Sequence, residues 1–240
     1  MGQETPRIPV IVLDVQHQLR GGIHAGDQGA RFGMVTEVEL ATRYAQAAAS
    51  RLLTRGYTVV TNRWAQVDGA FALTGSYDRR GEAAASLGAA VYIACHINAG
   101  GGRYALAEII SSDPPLVVDT KSIAFATTLM NEVAAAPQGI HGSEVKHFSG
   151  FGLRYRGTGS NPLRFERGRG CISRAVELGI PAVLFEPYFG DNPEHSWLQD
   201  GQFVGAAITN AVLNAFPIPA PARTVGEILA ASRTTNGNGP

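Results

Sequence analysis

Short β-branched apolar runs alternate along this chain with stretches of helical periodicity. Ile8-Pro-Val-Ile-Val-Leu13 is a continuous apolar run of strand length, the pattern of a strand buried on both faces. A glycine-rich loop, Gln16 to Gly33, follows it. Thr36 to Arg55 then reads as a helix: Thr36 and Glu39 have the spacing of a Thr-x-x-Glu capping box, and Gly56 supplies the stop. Tyr57 to Thr61 predicts a second strand, Arg79 to Gly88 a helix, Ala90 to Cys95 a third strand, Ala107 to Ser111 a fourth, and Asp119 to Ala135 a helix. Residues 139–170, rich in Gly, Ser and Arg, read as a long surface excursion. Cys171 to Leu178 reads as a helix, Pro181 to Phe185 as a strand and Gln202 to Ala215 as the last helix. This alternation predicts an α/β fold: a single three-layer domain with a mostly parallel twisted sheet and helices on both faces. The folded unit is expected to span residues 1–216, with 217–240 a Pro/Ala/Gly-rich tail or linker.

Composition narrows the class. The 240 residues carry 20 basic and 20 acidic side chains, 45% hydrophobic and 17% charged, which supports a sizeable core and excludes a disordered chain. The balanced charge argues against a surface built wholly for nucleic acid or anionic lipid, and no RNP, helix-turn-helix or zinc-finger signature is present. No apolar run approaches the roughly 18 residues of a membrane span. The start, Met1 to Val15, lacks the pattern of a secretory signal, so the chain is expected to be synthesised in the cytoplasm without a signal peptide, as a monomer with no membrane insertion. Two cysteines, Cys95 and Cys171, exclude a disulfide framework. Cys95 is expected in the core and Cys171 at a helix start, neither with a function.

Ligands of open α/β sheets sit beyond the carboxyl ends of the strands. Four residues capable of chemistry fall there. His17 follows the first strand; Glu37 opens the helix that returns from its loop; His96 follows the third strand; Glu186 closes the strand Pro181 to Phe185. Two imidazoles and one or two carboxylates on one sheet edge match a hydrolytic zinc site that leaves a coordination position for water. Each also has a plainer reading: a loop histidine, a first-turn acid favoured by the helix dipole, a strand-end surface residue. Glu186 stands out because it lies within an apolar stretch, where an acid needs a partner.

In these residues the chain resembles the zinc-dependent N-acetylmuramoyl-L-alanine amidases of the type 3 class. That family opens with a strand and Asp-Pro-Gly-His-Gly-Gly, then Asp-Pro-Gly-Ala; the corresponding places here are Asp14-Val-Gln-His17-Gln-Leu and Asp27-Gln-Gly-Ala30. A helix beginning at Glu37 and ending at Gly56 follows. The family's Ser-Ile-His-Ala-Asn-Ala is similar to Ala94-Cys-His96-Ile-Asn98-Ala99, with Arg80 matching an upstream arginine. Its Pro-Ala-Val-Leu-Val-Glu-x-x-Phe-x-x-Asn is similar to Pro181-Ala-Val-Leu-Phe-Glu186-Pro-Tyr-Phe189-Gly-Asp-Asn192. The likeness runs in order over residues 8–215. The first block departs from the motif, with Val15-Gln16 in place of Pro-Gly and Gln18-Leu19 in place of Gly-Gly.

The resemblance implies that His17, Glu37 and His96 bind Zn2+ and that Glu186 is the catalytic carboxylate. It implies hydrolysis of the amide between N-acetylmuramic acid and L-alanine in peptidoglycan, whose glycan strand and stem peptide would be the partner, on the bacterial cell wall. Residues 1–216 would then be the catalytic domain of a phage lysin or a cell-wall enzyme. A catalytically silent relative with the same fold, or a zinc hydrolase of another amide, are the rivals. Asp14, Arg80, Asn98, Arg167 and Arg169 are further candidates for contact with substrate or with the ligands; Asp14 would fix an imidazole or serve its loop. Glu39 is assigned to the capping box. Lys146, Arg154, Arg156, Arg164, Arg167, Arg169 and Arg174 make 146–174 locally basic against Glu166 alone, and one or two of these arginines are expected to hold carboxylates of the stem peptide, with the rest solvated.

Overall fold

The computed structural model describes residues 7–17, 28–62, 64–74, 79–110, 116–136, 140, 143–148 and 162–218, with backbone alone for 143–148 and 162–169. In chain order its elements are β1 (Val10–Val15), β2 (Arg31–Phe32), β3 (Val35–Thr36), α1 (Glu37–Thr54), β4 (Thr58–Thr61), β5 (Phe71–Ala72), α2 (Arg80–Ser86), β6 (Ala89–Cys95), β7 (Ala105–Ile110), α3 (Val117–Ala134), β8 (Ser143–Phe148), α4 (Pro162–Glu177), β9 (Ala182–Glu186) and α5 (Gln202–Ala215), with a 3-10 turn over Pro193–Leu198 before α5. Seven strands form one sheet in the order β5-β4-β1-β6-β9-β7-β8. The five strands from β5 to β9 run parallel. β7 then pairs antiparallel with β9, and β8 parallel with β7.

The continuous apolar runs are explained by helices on both faces. Ile11, Leu13, Val15, Val91, Ile93, Cys95, Val183 and Phe185 point into one core, closed by α1, α3 and α5. Val12, Tyr92, Ala94, Ala182 and Leu184 alternate with them into a second core, closed by Ala84 of α2 and by Cys171, Ile172, Ala175 and Val176 of α4. Both cysteines are buried and neither is in a disulfide, and burial pushes the Cys95 thiol far above its ordinary range.

The first long helix begins as its sequence predicts. The Thr36 hydroxyl accepts from Glu39 N–H, and the Glu39 carboxylate accepts from Thr36 N–H at 2.7 Å. Glu39 is thus occupied by the cap and Glu37 is released for the interior.

The stretch 139–170 differs from the expected surface excursion. It contains β8 and the first half of α4, which starts at Pro162 rather than Cys171. Arg164, Glu166, Arg167 and Arg169 interrupt any apolar stripe in that half, so periodicity did not reach the start of the helix. β8 reads Ser-Glu-Val-Lys-His-Phe, the charge-bearing alternation of a strand at a sheet edge. Arg154 and Arg156 lie outside the described residues, as does the tail from residue 219. Phe216 and Ile218 pack on the main core.

The two helices of the second core cross at a glycine. A Cβ on Gly81 would stand 2.6 Å from the Cys171 carbonyl oxygen and 2.9 Å from Ala175 N, both backbone atoms of α4. Alanine would favour the helix by about 1 kcal/mol, but forcing the helices apart costs about 1–3 kcal/mol. Gly81→Ala is therefore expected to lower the midpoint of denaturant unfolding; an unchanged or raised midpoint would show that the crossing can relax.

Candidate metal centre

β1, β6 and β9 are neighbours and parallel, so their carboxyl ends open on the same edge of the sheet. His17 leaves from β1, His96 from β6 and Glu186 from β9, while α1 points its amino terminus, and Glu37, at that edge. Tertiary structure thus brings together residues up to 80 positions apart in sequence: the cluster of His17, Glu37 and His96, with Gln16 against His96. One ligand atom from each of His17, Glu37 and His96 lies within 4.8 Å of the others. Glu37 Oε1 is the centre: His17 Nε2 and His96 Nδ1 each approach it to 3.0 Å. The two imidazoles meet edge to face, with centroids 4.8 Å apart.

The Glu37 carboxylate is held by backbone donors. Glu37 Oε2 accepts from Ala30 N–H at 2.9 Å, and Oε1 also accepts from Ile97 N–H at 3.2 Å. Gly29, at φ +68°, leaves the space its own Cβ would need to the Glu37 carboxylate, which explains the Gly29-Ala30 pair in the sequence. Tyr44, two turns along α1, donates its buried hydroxyl to the His96 carbonyl at 3.0 Å. Burial would raise the Glu37 pKa, but the hydrogen bonds and charges of His17 and His96 outweigh it and hold the carboxyl far below its ordinary range. The donor set of two imidazoles and one ionised carboxylate suits zinc.

Glu186 is partly buried at the end of β9, opposite Leu106 of β7. His96 N–H donates to Phe185 O at 3.0 Å, so His96 and Glu186 emerge from neighbouring strands at the same level.

Two expected contacts go elsewhere. Asp14 does not fix an imidazole: its carboxylate, fully buried, pairs with Arg80 at 2.7 Å and accepts from Asn62 at 3.1 Å and from the Tyr92 hydroxyl. Its side chain follows the β1 alternation toward the α2–α4 face, where an acid in an apolar strand needs a cation. Arg80 is that cation, buried in α2, and is not exposed for substrate. Arg174 ties α4 to Glu82 of α2 at 3.0 Å and to Glu177 at 3.3 Å. The side chains of Arg167 and Arg169, on α4, lie outside the described residues.

Asn98 shapes the rim. Its N–H donates to Tyr188 O and its carbonyl accepts from Gly190 N–H, both at 3.0 Å, stitching the β6–β7 connection to the segment after β9. Asp191 continues the seam by accepting from Gly100 and Gly101 N–H. Burial opposes ionisation of Asp191, but these backbone donors lower its pKa below the ordinary 3.8. A depressed pKa stabilises the seam above 3.8 and loses that contribution as pH falls through the lowered value. A carboxyl-carbon NMR titration should place the Asp191 midpoint below 3.8; a midpoint at or above it contradicts the seam.

Sequence reading missed Gln16, whose Oε1 lies 2.8 Å from His96 Nε2, and Tyr44. A polar residue continuing an apolar buried run was the available signal for Gln16; Tyr44 reads as ordinary core.

The element order and sheet are those of the amidase-like α/β fold. Solved structures with that fold include the catalytic domain of CwlV, an N-acetylmuramoyl-L-alanine amidase from Paenibacillus polymyxa, at 18% identity and TM-score 0.56 over 88% of this chain and 100% of that one. Ami1, an N-acetylmuramyl-L-alanine amidase from Mycobacterium abscessus, matches at 16% identity and TM-score 0.58, covering 86% of this chain and 98% of its own. The catalytic domain of the CD27L endolysin, which targets Clostridia difficile, matches at 16% and 0.51, covering 87% and 98%. No protein-family model and no curated protein sequence matches this chain. Among the described residues no helix is long and apolar enough to cross a membrane.

Proposed function

We propose that this protein is a zinc-dependent N-acetylmuramoyl-L-alanine amidase acting on peptidoglycan, with residues 1–216 as the catalytic unit and 217–240 as a tail. The observation that carries this reading is the convergence of His17, Glu37 and His96 on one sheet edge of a fold shared with solved amidases. These three side chains would hold the metal. When bound, zinc acidifies a water and polarises the scissile carbonyl. Glu186, reachable from solvent beside His96, takes the proton of the attacking water and returns it to the nitrogen of the departing L-alanine. Ala30 and Ile97 N–H keep the Glu37 carboxylate oriented. The likeness to an endolysin domain supports a lytic role on the cell wall.

Purified protein should contain near one zinc per chain and release stem peptides that begin at L-alanine from purified peptidoglycan, identified by mass. Zinc without such products would redirect the assignment to another amide. Neither zinc nor product would make the chain a silent relative.

A further inference from the structure

Gln16 is fully buried, and among the described residues its amide is only half used. Oε1 lies 2.8 Å from His96 Nε2, whereas its own buried Nε2 has no hydrogen-bond partner among those residues. An unpaired buried donor is unfavourable, and an apolar side chain would fill the same space without it. The amidase motif has glycine at this place, so the fold does not require a side chain here. The amide is a feature of this chain, and its one engaged atom touches His96.

The geometry divides the His96 ring between two neighbours. Nδ1 faces Glu37 Oε1, the atom that also meets His17, and Nε2 faces Gln16. A neutral imidazole offers a lone pair from one nitrogen only when its proton sits on the other. We propose that Gln16 is a positioning residue: its carbonyl oxygen accepts the Nε2 proton of His96 and so presents the Nδ1 lone pair to the metal. This rests on the reading of His17, Glu37 and His96 as a metal site. In many metal sites a carboxylate or backbone carbonyl does this; a neutral amide orients the ring without adding negative charge.

The test is zinc affinity by chelator competition, together with nitrogen-15 NMR of His96 in the zinc-loaded protein. The spectrum should show His96 protonated at Nε2, with that proton slow to exchange; protonation at Nδ1 overturns the proposal without recourse to any variant. Gln16→Met keeps the length and removes the acceptor, and should bind zinc about 10–100-fold more weakly, with the metal-free melting temperature little changed. Gln16→Glu restores an acceptor and should return affinity to within about threefold of the parent, judged against the same loss. Parental affinity in Gln16→Met defeats the role of Gln16 alone. No zinc binding by the parent protein defeats the metal-site reading itself.

Discussion

Glu186→Gln is expected to lower the rate of peptidoglycan hydrolysis by about 10²–10⁴-fold, the usual contribution of a positioned general base, while zinc content stays at the parental level. The effect corresponds to about 3–5 kcal/mol of barrier. Glutamine preserves volume at a partly buried strand end, so the sheet should be unaffected. Metal should remain because the three convergent donors are His17, Glu37 and His96, and Glu186 is not among them. Released stem peptide and bound zinc, measured on the same preparation, separate the roles. Loss of both would make Glu186 a ligand; retention of more than about a tenth of the rate, against that expected contribution, would remove it from proton transfer.

Asp14→Ala should produce the largest loss of stability. Asp14 and Arg80 form an ion pair that is almost wholly excluded from water, 0% and 4% exposed. Removing Asp14 takes from the buried Arg80 charge its carboxylate partner, at about 3–5 kcal/mol, a large share of the roughly 5–15 kcal/mol that holds a domain folded. Tyr92 and Asn62 lose an acceptor in the same step. Burial above all, and then the Asp14 charge, hold the Tyr92 hydroxyl protonated, so it cannot supply a replacement anion. Replacing both members together, Asp14→Leu with Arg80→Met, removes the buried Arg80 charge as well and should recover much of the loss, since apolar residues of similar volume often substitute for buried pairs at little cost. Denaturant midpoints of the single and double variants decide the matter. Equal loss in both would mean that the hydrogen bonds to Tyr92 and Asn62, rather than the charge, dominate.

The site was legible where local rules act. Thr36 and Glu39 announce the cap, which left Glu37 as the acid free to turn inward, and the structure places it between the two histidines. Gly29-Ala30 was legible as a motif, though its reason, the carboxylate resting against a glycine, required the folded chain. Asp14 was read as fixing an imidazole or serving its loop, and Arg80 was singled out by its match to the family's upstream arginine. The β1 alternation sends Asp14 to the opposite helical layer instead, where Arg80 meets it. α4 was foreshortened because the charges of its first half break the apolar period by which a helix is read from sequence.

The sequence alone determined the layered α/β class, the identity of the strands that carry reactive side chains, and the edge on which they open. These follow from periods of two and 3.6 residues and from caps, all decided within a few residues. Only tertiary structure decided that β7 runs antiparallel to β9, that Arg80 neutralises Asp14, and that Gln16 faces His96. These depend on which distant segments become neighbours once the sheet closes, and no local pattern encodes the partner of a buried polar atom.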